Sequence, residues 1–252
     1  IVLGMHARND NPELIKAKEL GIKIFSYPEY LYEETKNKMR IVVGGSHGKT
    51  TITAMIMHVL KDSGIAFDYM VGAHIAGFEN MVGLSNSTKI AVFEGDEYLT
   101  SPIDPRPKFH LYKPHVAVIS GIAWDHINVF PTKEFYEKQF ELFVKTIQPK
   151  GHLVFAQNDK SALKVSKKAG IDTTLLPYTE HPNEVKNNAT YLKNSDEFVK
   201  IKVFGKHNLE NISAALNVCK IVGITESKFY KSIASFSGAA KRMQKLASNE
   251  TV

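Results

Sequence analysis

The sequence predicts an α/β fold, a P-loop-type, mainly parallel sheet flanked by helices. Three observations predict it. From about residue 39 to about residue 224, short apolar runs alternate with amphipathic helical patterns, the order that produces a parallel sheet covered on both faces. The first of these runs leads into Gly44-Gly45-Ser46-His47-Gly48-Lys49-Thr50-Thr51, a glycine-rich turn that opens a helix. Polar residues then collect where later strands should end, as Glu94-Gly95-Asp96-Glu97 and Asp125-His126, and ligands of open parallel sheets bind beyond the carboxyl ends of their strands.

The elements follow in order. Residues 1–3 read as a short strand. Asn11-Pro12-Glu13 caps a helix that runs toward Leu20, and Gly21 ends it. Residues 22–25 form another short strand, and a short helix starts at 28–32. This βαβ-like piece is too small to hold a core of its own. Strands are expected at 40–43, 89–94, 115–119, 152–156 and 173–176, and helices at 50–62, 132–147, 160–169 and 208–221. Residues 191–204 read as an antiparallel hairpin turning at Asn194-Ser195-Asp196. A further helix begins at Glu226 and leads to Ser235-Phe236-Ser237-Gly238.

The 252 residues suffice for one large domain or two modest ones. An apolar fraction of 43% is ordinary for a soluble globular chain, and no apolar run is long enough to cross a bilayer. No secretory signal is expected. The start at Ile-Val-Leu-Gly rather than Met reads as a fragment or a processed chain. The single Cys219 cannot form an internal disulfide and reads as a small buried apolar residue, which fits a reducing cytoplasm. The net charge of +6 comes from scattered lysines. Lys164, Lys167 and Lys168 read as a solvated helix face rather than a basic stripe with aromatic platforms, so no nucleic-acid partner is expected. Phosphorylated acidic small molecules fit the positive bias. Oligomeric state is not legible.

The loop carries the chemistry. Glycines let backbone N–H groups turn inward around phosphate oxygens, the helix adds its positive end, Lys49 a point charge, and the Thr50 hydroxyl a Mg²⁺ ligand. The pattern is the short G-x-x-G-K-T, with Val43 where the longer P-loop has its first glycine. His47 either orients the loop or is exposed. Glu94 is placed as a metal ligand, since Mg²⁺ takes oxygen donors and one or two carboxylates. Asp96 and Glu97 read as solvated loop carboxylates. Asp125-His126 alone is a surface turn; beside the loop and Glu94 it joins three adjoining strand ends suited to phosphate or metal chemistry. Asn208 is a fair N-cap, and His207 and Asn211 could instead reach an adenine or ribose edge.

Together these motifs resemble the Mur ligases, ATP-dependent amide-forming enzymes of peptidoglycan synthesis. Gly45-Ser46-His47-Gly48-Lys49-Thr50-Thr51 is similar to their G-T-H-G-K-T-T, and Glu94-Gly95-Asp96-Glu97-Tyr98 to their E-A-D-E-Y/S. Asp125-His126 resembles their D-H pair, with Asn128 where D-H-x-D has Asp. His207-Asn208-Leu209-Glu210-Asn211 resembles H-N-x-x-N, and Lys241-Arg242 falls where the family carries an arginine. Ser120-Gly121 departs from the family's Thr-Asn. The resemblance implies that residues 1–38 end a UDP-binding, Rossmann-like N-terminal domain. It makes 39–234 the central ATP-binding domain and 235–252 the start of a C-terminal ligase domain. It further implies that Lys49 and the loop from Gly45 to Thr51 hold ATP, and that Lys49, Glu94 and His126 serve catalysis. Thr50, Glu94 and His126 hold Mg²⁺, His207, Asn208 and Asn211 lie near the base and ribose, and Arg242 reaches the phosphates. His6, Arg8 and Asn9 face the UDP-sugar, and Arg106 and Lys108 its phosphates or a peptide. Gln139-Phe140-Glu141 stands where several members carry a carbamylated lysine, and no such modification is expected.

Within the family, residues 103–114 and 4–12 resemble the subgroup that joins UDP-N-acetylmuramate to the murein peptide L-alanyl-γ-D-glutamyl-meso-diaminopimelate in peptidoglycan recycling. The subgroup that adds L-alanine is the alternative. A non-catalytic nucleotide-binding module is a reading from another class, although Glu94 and Asp125-His126 favour an enzyme. A P-loop kinase or GTPase is disfavoured by the missing first glycine and the absent Asn-Lys-x-Asp signature.

Overall fold

The computed structural model describes residues 1–239 apart from Pro102 and Asp196. Lys241 and Arg242 lie outside the described residues. The chain opens with β1 (Val2–Leu3), α1 (Pro12–Glu19) and β2 (Phe25–Ser26), with β1 and β2 paired in parallel. The second strand falls later than the expected 22–25. Then α2 (Tyr27–Thr35) begins earlier and runs further than 28–32 suggested, because Ser26 and Glu29 form a reciprocal capping box that starts the helix at Tyr27.

Next come β3 (Met39–Gly44), α3 (Lys49–Asp62), β4 (Asp68–Met70), β5 (Val82–Gly83) and β6 (Ile90–Glu94). A hairpin of β7 (Leu99–Ser101) and β8 (Asp104–Pro107) and a single 3₁₀ turn, Lys108–Leu111, lead to β9 (Val116–Ile119). The chain continues through α4 (Lys133–Lys145), β10 (His152–Ala156), α5 (Lys160–Ser166) and β11 (Thr174–Tyr178). The described residues end with β12 (Asn183–Lys186), β13 (Ala189–Asn194), β14 (Glu197–Ile201), α6 (Lys206–Ile221) and α7 (Glu226–Ile233).

The main sheet has the order β11-β10-β9-β3-β6-β4-β5, parallel except where β5 meets β4. Side chains alternate between its faces with the period of two that strands impose. Ile41, Val43, Val92, Val118 and Val154 join one core with α3, α6 and α7. Val42, Phe93, Ala117, Ile119 and Phe155 join another with α4 and α5. Burial on both faces is why these strands read as continuous apolar runs.

Two strands of this sheet were not expected from the sequence. β4 is three residues long and includes Asp68, which is fully buried. That carboxylate accepts hydrogen bonds from Lys38 Nζ, from Ser85 N at 2.9 Å and from Thr88 Oγ1 at 2.6 Å. A polar clamp, not an apolar run, holds this edge. The expected hairpin at 191–204 is the second half of a three-stranded antiparallel sheet, β12-β13-β14. Ser195, with φ of 42°, lies in the turn, and the partner β12 is too polar to have been read as a strand. Among the described residues, no helix is long and apolar enough to cross a membrane.

Arg40, on β3, is 2% exposed and joins three parts of the chain. Its guanidinium donates to the carbonyls of Thr35 and Lys36 at the end of α2 (2.8 Å each) and to Lys38 O (3.0 Å). It also donates to Tyr112 O (2.8 Å) and Lys113 O (3.1 Å). Burial lowers its pKa, and backbone oxygens take the place of a carboxylate. Substituting Arg40→Met should lower stability by about 3 kcal/mol, because it leaves buried carbonyls without donors. Urea unfolding measures this, and a loss below about 1 kcal/mol would contradict it.

Candidate active site

β3 lies between β6 and β9, so three strands end together around the loop. Registers Val43↔Glu94 and Gly44↔Ile119 bring the ends of all three level. Gly45 leaves β3 with φ of 132°, and a Cβ there would lie 2.2 Å from Ser120 Oγ. Gly48 precedes α3 with φ of 76°, and a Cβ there would lie 2.6 Å from Asn211 Oδ1. Glycine is required at both positions by close approach and by backbone conformation. Ser46 N donates to Gly121 O at 2.9 Å, and Ala123 N donates to Ser46 Oγ at 2.9 Å. Ser120 Oγ donates to His47 O. The departure at Ser120-Gly121 thus supplies the surface on which the loop rests.

Lys49 and Thr50 open α3. Lys49 Nζ donates to Gly45 O at 2.7 Å and to Glu97 Oε2 at 2.8 Å. Thr50 Oγ1 donates to Glu94 Oε1 at 2.8 Å, and Glu94 Oε2 accepts from Gly72 N at 2.8 Å. A hydroxyl and a carboxylate meeting at a helix N-terminus are hard oxygen donors of the kind Mg²⁺ takes. Among the described residues, no group of three His, Cys, Asp or Glu side chains could hold a metal ion alone.

The expectation that Glu97 is solvated is corrected, whereas the Asp96 side chain keeps 38% of its surface exposed. Glu97 is fully buried and accepts from Lys49 and from Tyr136 OH on α4 at 3.1 Å. Burial, and next Glu97, pushes the Tyr136 phenol far above its usual range, so it stays a neutral donor. Asp96 pairs with Lys108 at 2.6 Å. Burial pushes its carboxyl up, but the hydrogen bond and charge of Lys108 outweigh that and hold it below the usual range. The physical reason is the segment after β8, whose amides at Lys108 and Phe109 bond to Tyr98 O and Asp96 O and close over the strand end.

His126 is partly buried with φ of 55°. Its Nε2 lies 3.7 Å from Glu97 Oε1, and its ring contacts that of Tyr98 at 5.3 Å. It therefore faces Glu97, while Thr50 and Glu94 face each other. Asp125 is exposed, and Asn128 donates to Tyr98 OH at 3.3 Å.

Two cavities flank the loop. One of about 560 Å³ is lined by His47, Gly48, Thr51, His207, Asn208 and Asn211, together with Tyr178 and Phe204. His47 is exposed at its rim, 5.9 Å from the His207 ring. Partial desolvation, and next His207, lowers its imidazole pKa, with Asp159 and Glu210 pulling the other way. The N-cap expected at Asn208 is corrected. Gly205, at φ of 87°, precedes a helix that begins at Lys206, and Asn208 Nδ2 donates back to Phe204 O at 2.8 Å.

The second cavity, of about 590 Å³, lies between residues 2–5 and the loop. Lys49, Gly72, Glu94, Asp96 and Lys108 are on its wall. Arg106 instead pairs with Asp104 at 2.7 Å and Glu29 at 2.9 Å, tying the β7–β8 hairpin to α2. His6, Arg8 and Asn9 are exposed. Glu97 and Tyr136 were missed as site residues. The spacing of Tyr136, Phe140 and Phe143 marks a buried face of α4, but not the partner of the phenol.

Fold and loop define a P-loop-type α/β domain. More particularly, the chain belongs to the Mur ligase family, since residues 43–219 match the Mur ligase middle domain. It is 32% identical to UDP-N-acetylmuramate–L-alanine ligase of Carboxydothermus hydrogenoformans, over 97% of this chain and 53% of that protein. It is 24% identical to UDP-N-acetylmuramate–L-alanyl-γ-D-glutamyl-meso-2,6-diaminoheptandioate ligase of Haemophilus influenzae, over 97% and 56%. The solved UDP-N-acetylmuramate:L-alanyl-γ-D-glutamyl-meso-diaminopimelate ligase from Neisseria meningitides shares its fold with a TM-score of 0.82 at 26% identity, over 97% of this chain and 79% of that one. The chain spans about half the length of the curated relatives it matches.

The Lys49–Glu97 pair predicts a stability signature. Glu97→Gln should cost about 3 kcal/mol by leaving a largely buried ammonium without its counter-charge, and Lys49→Met added to it should restore most of the loss. Additive losses in urea unfolding of the two single variants and the double would show that the charges are not coupled.

Proposed function

We propose that this chain is the ATP-handling part of a ligase that joins the lactyl carboxylate of UDP-N-acetylmuramate to an amine in peptidoglycan metabolism. The observation that carries this reading is the pairing of Lys49 and Thr50 with Glu97 and Glu94, between a cavity on each side of the loop. On this reading residues 1–38 end a UDP-binding domain, 39–234 form the central domain, and 235–252 begin a ligase domain that includes Arg242. The cavity at His47, His207, Asn208 and Asn211 receives the base and ribose. The cavity at residues 2–5 receives the sugar and its carboxylate.

Thr50 and Glu94 are the residues that would hold Mg²⁺, with His126 close by at Glu97. When bound, Mg²⁺ offsets phosphate charge. The carboxylate oxygen attacks the γ-phosphorus of ATP, and ADP leaves. The amine then attacks the acyl carbon, phosphate leaves, and the amine loses a proton. Lys49 and the first-turn amides of α3 offset the repulsion between carboxylate and triphosphate and stabilise charge on the transferring phosphoryl group. Glu97 and Tyr136 keep the Lys49 ammonium at the loop.

The amine is read as the murein tripeptide, on the strength of residues 103–114 and the likeness to the Neisseria meningitides enzyme. L-alanine is the second reading, favoured by the higher identity to the Carboxydothermus hydrogenoformans enzyme. Phosphate release by the full-length protein, with ATP, Mg²⁺ and UDP-N-acetylmuramate, separates them when each amine is added in turn. Release with the tripeptide alone is expected, and release with L-alanine alone would select the second reading. Lys49→Ala should lower the rate by at least on the order of 10²–10³. Undiminished turnover would overturn the role of the loop.

A further inference from the structure

His58 lies on α3 two turns beyond Thr51, about 10 Å further along the helix axis and on the same face. Thr51 lines the cavity that His47, His207 and Asn211 also line. His58 does not line it, and nothing in the ligase reading uses it. Its Nε2 is 3.1 Å from Ser232 O and 2.9 Å from Ser235 Oγ. Ser235 Oγ gives its own hydrogen to Ser232 O at 2.9 Å, so Nε2 is the ring nitrogen that carries a hydrogen and donates to both. Phe236 meets the imidazole edge-on, with ring centroids 5.6 Å apart, and is buried. Asp62, one turn further along α3, accepts from Ser232 Oγ at 2.8 Å. The helix that opens with Lys49 thus grips the end of α7 and the residues that leave it.

Those residues, 235–239, lead from His58 back to the cavity. Gly238 and Ala239 are part of the wall that His47, Gly48 and Thr51 also form. Ala239 is buried in the core shared with α3 and α6. Gly238 has φ of 103°, a conformation that glycine adopts freely. Among the described residues, Ser237, Gly238 and Ala239 make no backbone–backbone hydrogen bond. Four residues span at most about 14 Å, so little slack remains between Ser235 at His58 and Ala239 at the cavity. The place of this part of the wall is set by the packing of Ala239 and by the anchor at His58, not by bonds of its own backbone.

We propose, on the reading that this cavity receives the base and ribose of ATP, that His58 is a positioning residue for the nucleotide. It does not touch the nucleotide. It holds the exit from α7 so that Gly238 and Ala239 complete the wall against which the nucleoside packs. With the anchor released, the exit segment gains conformational freedom, and binding must first remove that freedom. His58 stands apart from the phosphates, so its loss acts on nucleotide affinity and not on the chemical step.

His58→Ala in the full-length protein tests this. The KM for ATP should rise roughly tenfold, the factor that one hydrogen bond of ordinary net strength supplies, with kcat and the KM for UDP-N-acetylmuramate unchanged. His58→Gln, whose Nε2 can donate in the same place, should restore most of the affinity. Ser235 is exposed, so Ser235→Ala loosens the anchor without opening the core and should raise the KM for ATP severalfold. Lys228→Met is the control. Lys228 joins α7 to Ser63 O at 3.1 Å rather than to the exit segment, and its loss should leave the KM for ATP unchanged. An unchanged KM for ATP in His58→Ala and Ser235→Ala would overturn the assignment, whatever the unfolding midpoint does, since the histidine would then serve only the fold. An equal rise in Lys228→Met, or no recovery in His58→Gln, would also overturn it. Calorimetric titration with ATP requires no turnover. If the wild type binds ATP and no amine releases phosphate, the ligase reading fails, and roughly tenfold weaker binding to His58→Ala still supports His58. Equal binding to both proteins, or none to the wild type, overturns it.

Discussion

Lys49 lies in the first turn of α3, where peptide dipoles leave partial positive charge, and only 15% of its side chain reaches solvent. A desolvated cation at that end of a helix needs negative charge from elsewhere, and the rest of the site is arranged to bring it. Glu97 contributes a fully buried carboxylate, Gly45 a carbonyl, and Tyr136 holds the second oxygen of Glu97. The arrangement depends on β6 lying beside β3 in the register that sets Glu94 opposite Val43. A slip of one residue would exchange the faces of the strand and carry Glu94 away from Thr50.

The opposite side of β3 is equally constrained. Ile119 is level with Gly44, so Ser120 meets the loop where only a glycine at 45 leaves room. Where the strand order reverses, as it does at β3 with β4 and β6 on one side and β9, β10 and β11 on the other, a crevice opens at the carboxyl ends of the strands. Here that crevice is divided by the loop into two cavities. The N-terminal piece closes one of them. It is held to the main sheet by Arg40, which gathers the end of α2 and residues 112–113 around a buried guanidinium, and by the exposed contact of Arg106 with Glu29.

Much of this was legible in the sequence because its causes are local. A glycine-rich turn between an apolar run and an amphipathic helix specifies the loop. Strands buried on both faces announce themselves as unbroken Val, Ile and Phe. β4 was hidden because a buried Asp68 clamp replaces apolar burial, and β12 because its residues are polar and it sits at the edge of a small sheet. Glu97 was misjudged because three acidic or turn-forming neighbours suggest solvent. Whether a carboxylate is solvated depends on what folds over it, which here is the segment after β8.

The sequence by itself determined the alternation of the apolar central strands with their helices, the phosphate-type loop and the family, since each depends on residues adjacent in the chain or on a spaced series of short motifs. Only the tertiary structure decided which carboxylate neutralises Lys49 and which helix anchors that carboxylate. Glu97 is 48 residues from Lys49 and 39 from Tyr136. The energy of a buried charge is set by neighbours at such separations, and it takes the folded sheet to bring them within hydrogen-bonding distance.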